Sequence, residues 1–509
     1  MLGIDVGTSG LKALLLASSG DLLGTCMEFY PLCVPRPGWA EQDPNMWWSA
    51  CVKAVKRLLA VSGIKPKAIA GVGLTGQMHG SVFLGAKGQV LSPALLWCDQ
   101  RTVREAAEIT RAAGGEKSLL EHTCNLAQTG FTAPKVLWVR RHLPQVFRAT
   151  RKVLMPKDYV RYALTASLAA DVSDASGTLL FDVHRRRWSA HMLKALKLDA
   201  ELFPDALESC EVAGKISRAA SRATGLLEGT PVVAGAGDQA AGAIGCGVIA
   251  PGVVSCTLGT SGVVFAACGR PKATPDGKLH LFCSAVKGGW HLMGVMLSAG
   301  GALRWLRDEV VGKSLVAGAM KGTDPYDLIV KAAEKVPAGS EGLIFLPYLT
   351  GERTPHADPF ARGVFFGLSL KHSSAHLARC VMEGVAYGMK DSMELVKGMG
   401  VGIKGVRFSG GGARSPLWCR IQAAVYGAAG RRLKREEGPA MGAAILAGLG
   451  ARVFSSLPGA VRTCVAERDE FRPCPRMKNV YRDGYRVYRR LYPALRGLFR
   501  DSARIASES

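Results

Sequence analysis

The chain has 509 residues, 48% apolar and 21% charged, a balance ordinary for a globular protein and long enough for two large domains. Sixty-five basic and 41 acidic residues leave a formal charge of +24. The basic residues fall in short scattered runs, His184–Arg187 and Arg431–Arg435 among them, without a helix-turn-helix, finger or aromatic RNA-binding motif, so nucleic acid is not expected as a partner. The 14 cysteines lie singly, with no Cys-x-x-Cys pair and no zinc-type spacing, and read as reduced thiols of a cytoplasmic protein. Sixty-one glycines exceed the usual ~7% and point to many tight turns and a loop-built site.

The chain enters a strand pattern at once, Leu2-Gly3-Ile4-Asp5-Val6, without a basic region and apolar stretch, so a secretory signal is not expected. A helix follows with Asp43 as N-cap and Pro44 as its first residue. Trp47, Ala50, Cys51, Ala54 and Leu58 form its apolar stripe, and Lys56 and Arg57 lie toward its C-terminal end. Strand-like and helical runs alternate from there on, which predicts an α/β fold. The stretch Pro231–Cys268 carries one charged residue, Asp238. Its glycines, alanines and central carboxylate favour buried strands and tight loops over a membrane span.

One repeat organises the chain. Met1–Leu16 reads MLGIDVGTSGLKALLL and Gly252–Ala267 reads GVVSCTLGTSGVVFAA, each a Gly-Thr-Ser-Gly tip between two apolar strands. This predicts a duplicated α/β architecture with domains 1–246 and 247–509. Near the C-terminus Tyr485, Tyr488, Tyr492 and Leu495 form one helical stripe with Arg486, Arg489, Arg490 and Arg496 off it, and Pro493 argues for an interruption.

Glycine-rich hairpin tips let backbone N–H groups approach phosphate oxygens, so Gly7, Thr8, Ser9 and Gly259, Thr260, Ser261 are candidate phosphate ligands, with Lys12 close by in sequence. Asp5, in an apolar strand beside the first tip, suits a hydrated Mg²⁺, or else a role in capping N–H groups. Asp238 lies in a loop after the strand Pro231-Val232-Val233 and could accept a proton from a phosphate acceptor, or only stabilise a turn. The stretch Phe408–Arg414, with Gly410, Gly411, Gly412 and Ala413, is a candidate adenosine site; no Walker sequence or dinucleotide fingerprint is present.

These motifs resemble the FGGY family of carbohydrate kinases, and within it the members that act on D-xylulose. The resemblance runs over nearly all of residues 1–450 through GIDVGTSGLK, EQDPNMWW, GLTGQMHG, GFTAPKVLWV, MPKDYV, GDQAAGAIG, LGTSGV, LPYLTGERTPH, GVFFGL and SGGGARS. It implies two duplicated domains of the actin, hexokinase and heat-shock ATPase (ribonuclease H-like) superfamily, with ATP and sugar in an interdomain cleft that closes on them. By the same resemblance Asp238 is the catalytic base, Asp5 the carboxylate near Mg²⁺-ATP, and Thr8 and Thr260 the phosphate-loop hydroxyls. Gly411 and Gly412 are the adenosine-site glycines, and Met78, His79 and Gly80 the sugar-contacting segment. Gln239 stands where many of these kinases have asparagine. ATP-dependent phosphorylation of D-xylulose to its 5-phosphate is expected, with ribulose or glycerol as alternative acceptors. ATP and Mg²⁺ are the expected cofactors, a small sugar the partner, and no membrane is expected; a homodimer is left open.

Overall fold

The structure, a computed structural model, describes residues 1–311 and 324–508. Packing groups the chain into two compact units that no single cut separates. One comprises Met1–Ile249, Ala267–His291 and Glu437–Ala466; the other comprises Ala250–Ala266, Leu292–Glu436 and Glu467–Ser509.

In the first unit β1 (Leu2–Val6), β2 (Gly10–Leu16) and β3 (Leu22–Phe29) form an antiparallel meander, and β4 (Val72–Gly76) runs parallel to β1. With β5 (Val212–Lys215), β6 (Pro231–Val233) and β7 (Ala236–Gly237) they make a mixed sheet of order β5-β6-β4-β1-β2-β3, β7 pairing with β4. The second unit repeats this scheme. Its β8 (Val253–Leu258) and β9 (Gly262–Cys268) form an antiparallel hairpin, with β10 (Trp290–Met296) beyond β9, and β11 (Gly405–Ser409) lies parallel to β8. The order β10-β9-β8-β11 continues through β12 (Gly430–Leu433) to β13 (Glu467–Phe471). In both units a Gly-Thr-Ser-Gly tip therefore leaves a strand whose parallel neighbour ends in a second glycine-bearing loop.

Helices cover these sheets. Pro44–Ser62 is capped by Asp43, whose Oδ1 accepts the Asn45 amide at 2.9 Å, and it buries Trp47, Ala50, Cys51, Ala54 and Leu58 as the periodicity predicts. Gly63 closes it at φ 66°, so Lys56 and Arg57 lie well short of the last turn. The helix Gly438–Gly450 packs on the first unit's sheet at backbone distance. A Cβ on Gly73 would stand 2.0 Å from the Ala443 carbonyl oxygen, and one on Gly3 2.1 Å from that of Ala440. That proximity is why Glu437–Ala466, late in the sequence, belongs to the first unit.

The C-terminal helix Lys478–Glu508 runs through Pro493 without a break, contrary to expectation. Pro493 and Arg489, whose carbonyl lacks the proline's N–H, are both exposed, so water can satisfy that carbonyl. A row of tyrosines holds the helix to the second unit: Tyr481 donates to Glu383 Oε1 at 2.9 Å, Tyr485 to Asp391 Oδ1 at 2.6 Å and Tyr492 to Asp358 Oδ2 at 2.8 Å. The basic run at 431–435 is partly neutralised across β12 and β13, where Arg431 pairs with Glu467 and Glu470 and Arg432 with Asp469. None of the 14 cysteines is in a disulfide. Among the described residues no helix is long and apolar enough to cross a membrane.

The Gly73 contact generates a direct test. Gly73→Ala forces a methyl into a main-chain oxygen and should destabilise the first unit by about 3 kcal/mol, roughly 6 °C or more in Tm by calorimetry. Gly398→Ala, where a Cβ meets nothing within 4 Å, should leave Tm unchanged.

Candidate active site

The tip Gly7–Ser9 is held by four side chains from elsewhere in the first unit. Tyr30 OH donates to Gly7 O and Gln42 Nε2 to Thr8 O, each at 2.7 Å, and Trp97 Nε1 donates to Thr8 Oγ1 at 3.0 Å. Thr8 Oγ1 in turn donates to Gln77 Oε1 at 3.1 Å. The threonine proton is thus engaged within the protein and the Gly7 amide donates to Gly10 O at 3.0 Å, so the groups left to meet an anion are the Thr8 and Ser9 amides and the Ser9 hydroxyl. Ser9 is exposed there. Lys12, opposite Asp5 in the hairpin register, forms an ion pair with Glu437, so its charge is shared.

Asp5 is partly buried, and its Oδ1 has no hydrogen-bond partner. Burial, reinforced by the charge of Asp238 and opposed by Lys12, pushes its pKa up to about 7. An orphaned, desolvated carboxylate oxygen beside a phosphate-type loop fits a hydrated Mg²⁺. No cluster of three or more His, Cys, Asp or Glu suited to a metal occurs among the described residues. A metal here would therefore complete its shell with water and substrate phosphate.

Asp238 does not lie in a loop: it opens the helix Asp238–Gly245, directly after β7. Its Oδ1 accepts the Gln239 amide at 2.7 Å. Burial raises its pKa to about 6, with the Gln239 main chain and side chain pulling the other way. Met78 is buried against Gly237, where an added Cβ would meet Met78 Cγ at 2.8 Å, and so lies on the shoulder of Asp238. His79 adopts φ 66°, a left-handed conformation rare for a residue with a side chain. Two anchors hold it there. Its Nδ1 is 2.7 Å from Gly177 O, and its carbonyl accepts Lys135 Nζ at 2.9 Å and Thr132 Oγ1 at 3.1 Å. Lys135 is fully buried, and desolvation brings its pKa down to about 7. Gly80 passes so close to Pro156 that a Cβ would meet its ring at 2.5 Å.

In the second unit the tip is held by main chain instead. Gly300 N donates to Gly259 O at 2.8 Å, and Ala299 N and Gly301 N donate to Thr260 O at 2.9 and 3.0 Å. Thr257 occupies the place that Asp5 has in the first hairpin, and its hydroxyl lies 2.8 Å from that of Ser409. A cavity of about 420 Å³ opens beside this tip, lined by Gly259, Thr260, Gly411 and Gly412 together with Arg304, Asp324, Tyr326, Arg414 and Trp418. Its size suits a nucleoside. Gly410, at φ 76°, and Gly412 press on Leu258, whereas a Cβ on Gly411 meets nothing within 4 Å. Ala413 is buried, its carbonyl accepting Arg432 Nη1 at 3.1 Å, and is not among the lining residues.

The first unit thus brings together Asp5, Thr8, Ser9, Lys12, Met78, His79, Gly80, Asp238 and Gln239, and the second Gly259, Thr260, Gly411 and Gly412. Residue-by-residue reading missed Gln42, Gln77, Trp97, Thr132 and Lys135, which hold the loops. Gln42, Gln77, Thr132 and Lys135 lie inside EQDPNMWW, GLTGQMHG and GFTAPKVLWV, segments that the sequence marks without disclosing their partners. Arg304, Asp324 and Tyr326 have no sequence signal.

Two predictions follow from this geometry. Gly411→Ala should fold with an unchanged Tm and raise KM for ATP several-fold, because its methyl enters the cavity and nothing else. Asp5 binds its proton more tightly in the fold than in the unfolded chain. Its carboxyl therefore costs nothing at low pH, and it destabilises the ligand-free protein progressively as pH rises from 3.8 to about 7. Asp5→Asn should raise Tm above that of the parent at pH 8, with the gain vanishing near pH 4 in calorimetric scans.

The FGGY family of carbohydrate kinases matches through its N-terminal domain over residues 1–245 and its C-terminal domain over residues 254–451. The xylulose kinase of Escherichia coli strain K12 is 39% identical over 495 residues, covering 97% of this chain and 99% of that protein. A crystal structure of a xyloylose kinase from Brucella ovis superposes with a TM-score of 0.89 at 37% identity, over 98% of this chain and 99% of the other. A gluconate kinase from Lactobacillus acidophilus reaches the same TM-score of 0.89 at 25% identity, over 97% of both chains. The mixed sheets with covering helices are those of the actin/hexokinase-like sugar kinases, and the chain is an ATP-dependent sugar-phosphorylating enzyme of the FGGY family of carbohydrate kinases.

Proposed function

We propose that the enzyme phosphorylates D-xylulose on its 5-hydroxyl, with Asp238 as general base. The observation that carries this reading is the Asp238 carboxylate. It is desolvated to a pKa of about 6, held by Gln239 and flanked by Met78, in a unit whose relatives over nearly their full length are xylulose kinases. A base with that pKa is ionised at neutral pH yet basic enough to take a hydroxyl proton in the transition state. The proton passes from the sugar 5-hydroxyl to Asp238, the freed oxygen attacks the γ-phosphorus in line, and ADP leaves. Met78 and the His79 segment bind the sugar, and the amides of the tips at Thr8 and Thr260 receive phosphate oxygens. Asp5 orients, through water, a Mg²⁺ ion that when bound supplies positive charge to the phosphates. The cavity at Gly411 and Gly412 takes the adenosine.

The second reading keeps the chemistry and changes the acceptor to another sugar or polyol, which the equal structural likeness to a gluconate kinase favours. ADP release over a panel of ketopentoses, polyols, hexoses and gluconate separates the two. D-Xylulose should give the highest kcat/KM, and Asp238→Asn should lower it by about 10²- to 10⁴-fold. If another acceptor outruns D-xylulose the substrate is wrong; if Asp238→Asn keeps full activity the base is wrong.

A further inference from the structure

Among the charged side chains completely buried in the first unit, five form one cluster: Lys157, Arg161, Asp158, Asp171 and Asp174. Lys157 Nζ stands 2.6 Å from Asp158 Oδ1, 2.7 Å from Asp171 Oδ1 and 3.2 Å from Asp174 Oδ2. Such a cluster is a poor stabiliser, since apolar packing of the same volume does as well without desolvating charge. Its hydrogen bonds instead converge on the turn that leads into Asp238. Arg161 Nη1, 2.8 Å from Asp158 Oδ1, also donates to Ala234 O at 2.6 Å. At the far end of the same turn, Gly237 N donates to Ser173 Oγ at 3.0 Å, and Ser173 Oγ donates to Asp171 Oδ2 at 2.6 Å. Asp171 Oδ2 also accepts the Ser173 amide at 2.8 Å, which fixes the serine against it. Between the two grips Gly235 sits at φ 82°, where a Cβ would be 2.1 Å from Leu74 O.

We infer that Ser173 is a positioning residue for phosphoryl transfer, transmitting the buried Asp171–Lys157 pair to the Gly237 amide and so fixing the direction in which the next residue, Asp238, presents its carboxylate. The inference rests on Asp238 being the base. The hydrogen-bond polarity is unambiguous: an amide can only donate to the hydroxyl oxygen, and the hydroxyl proton then goes to the carboxylate. Without the hydroxyl the Gly237 N–H is buried and unpaired, and its peptide loses one of the bonds that orient it. A small misdirection of a catalytic group is felt in kcat more than in substrate binding.

The test uses the full chain, with kinase turnover measured at varied sugar and saturating ATP. Ser173→Ala should lower kcat about tenfold or more while KM for the sugar stays nearly constant. Ser173→Thr, which keeps the hydroxyl, should restore kcat. Ser173→Cys preserves volume with a weaker bond and should fall between them, which keeps the test alive if the alanine variant fails to fold. A merely structural serine would lower Tm and leave kcat per folded molecule untouched in Ser173→Ala and Ser173→Cys, and that result overturns the inference. Asp238→Asn run alongside separates the two failures. If it is inactive while both serine variants turn over normally, only the positioning role falls; if it is fully active, the base assignment falls first.

Discussion

The first unit depends on how closely the helix Gly438–Gly450 approaches three other elements. Its Ala440 and Ala443 carbonyls lie where Cβ atoms of Gly3 in β1 and Gly73 in β4 would be, and a Cβ on its own Gly442 would be 1.9 Å from Ala241 O in the helix that begins at Asp238. Gly245 closes the same helix pair, its absent Cβ 2.1 Å from Gly438 O. The ends of β1 and β4 and the start of that helix carry Asp5, the Met78–Gly80 segment and Asp238. One helix packed at backbone distance thus sets the relative height of all three. Side chains could not do this as firmly, because each would add rotamers and compressible volume where glycine leaves only main chain.

The hairpin is used twice with different support. At Gly7–Ser9, Gln42, Gln77, Tyr30 and Trp97 immobilise the tip and take up the threonine hydroxyl. At Gly259–Ser261, main-chain amides of Ala299–Gly301 hold the Gly259 and Thr260 carbonyls instead. The strands leading into the tips differ in one chemical respect: Asp5 stands in the first and Thr257 in the second, its hydroxyl paired with Ser409. A neutral hydroxyl pair needs no counter-charge. The orphaned carboxylate does, and this asymmetry restricts the candidate cation position to one copy of the repeat.

What the sequence revealed was what local pattern controls. The duplicated tips, the Asp43-Pro44 helix start and the apolar stripe behind it are each written within a few residues, and the structure has them. The helix at Asp238 escaped reading because Gly237-Asp238-Gln239-Ala240-Ala241-Gly242 has no capping side chain ahead of it and two glycines within it, so tertiary packing on Gly438–Gly450 decides its conformation. Pro493 misled for the opposite reason: a strong local breaker yields where exposure lets water replace the lost bond and Tyr488 and Tyr492 anchor the helix just ahead of it. The pairing of Lys12 with Glu437, and of Arg431 and Arg432 with acids more than thirty residues on, joins positions whose separation carries no periodic signal.

The site also shows why charge is buried twice over in this unit. Asp5 and Asp238 each raise their proton affinity by desolvation, and the charge of Asp238 raises that of Asp5 further, so the protein holds two carboxyls that titrate near neutrality, where water would keep both fully ionised. That is a standing destabilisation, relieved by protonation as the pH falls. Beneath the turn into Asp238, the Lys157 cluster sets two cations against three carboxylates, and burial together with the charges of Asp158 and Asp171 pushes the pKa of Asp174 up to about 8, so a proton on Asp174 completes the balance. The two kinds of burial have different physical consequences. Unpaired carboxylates at the loop ends raise proton affinity, whereas the paired charges behind them limit rotation of the groups they hold.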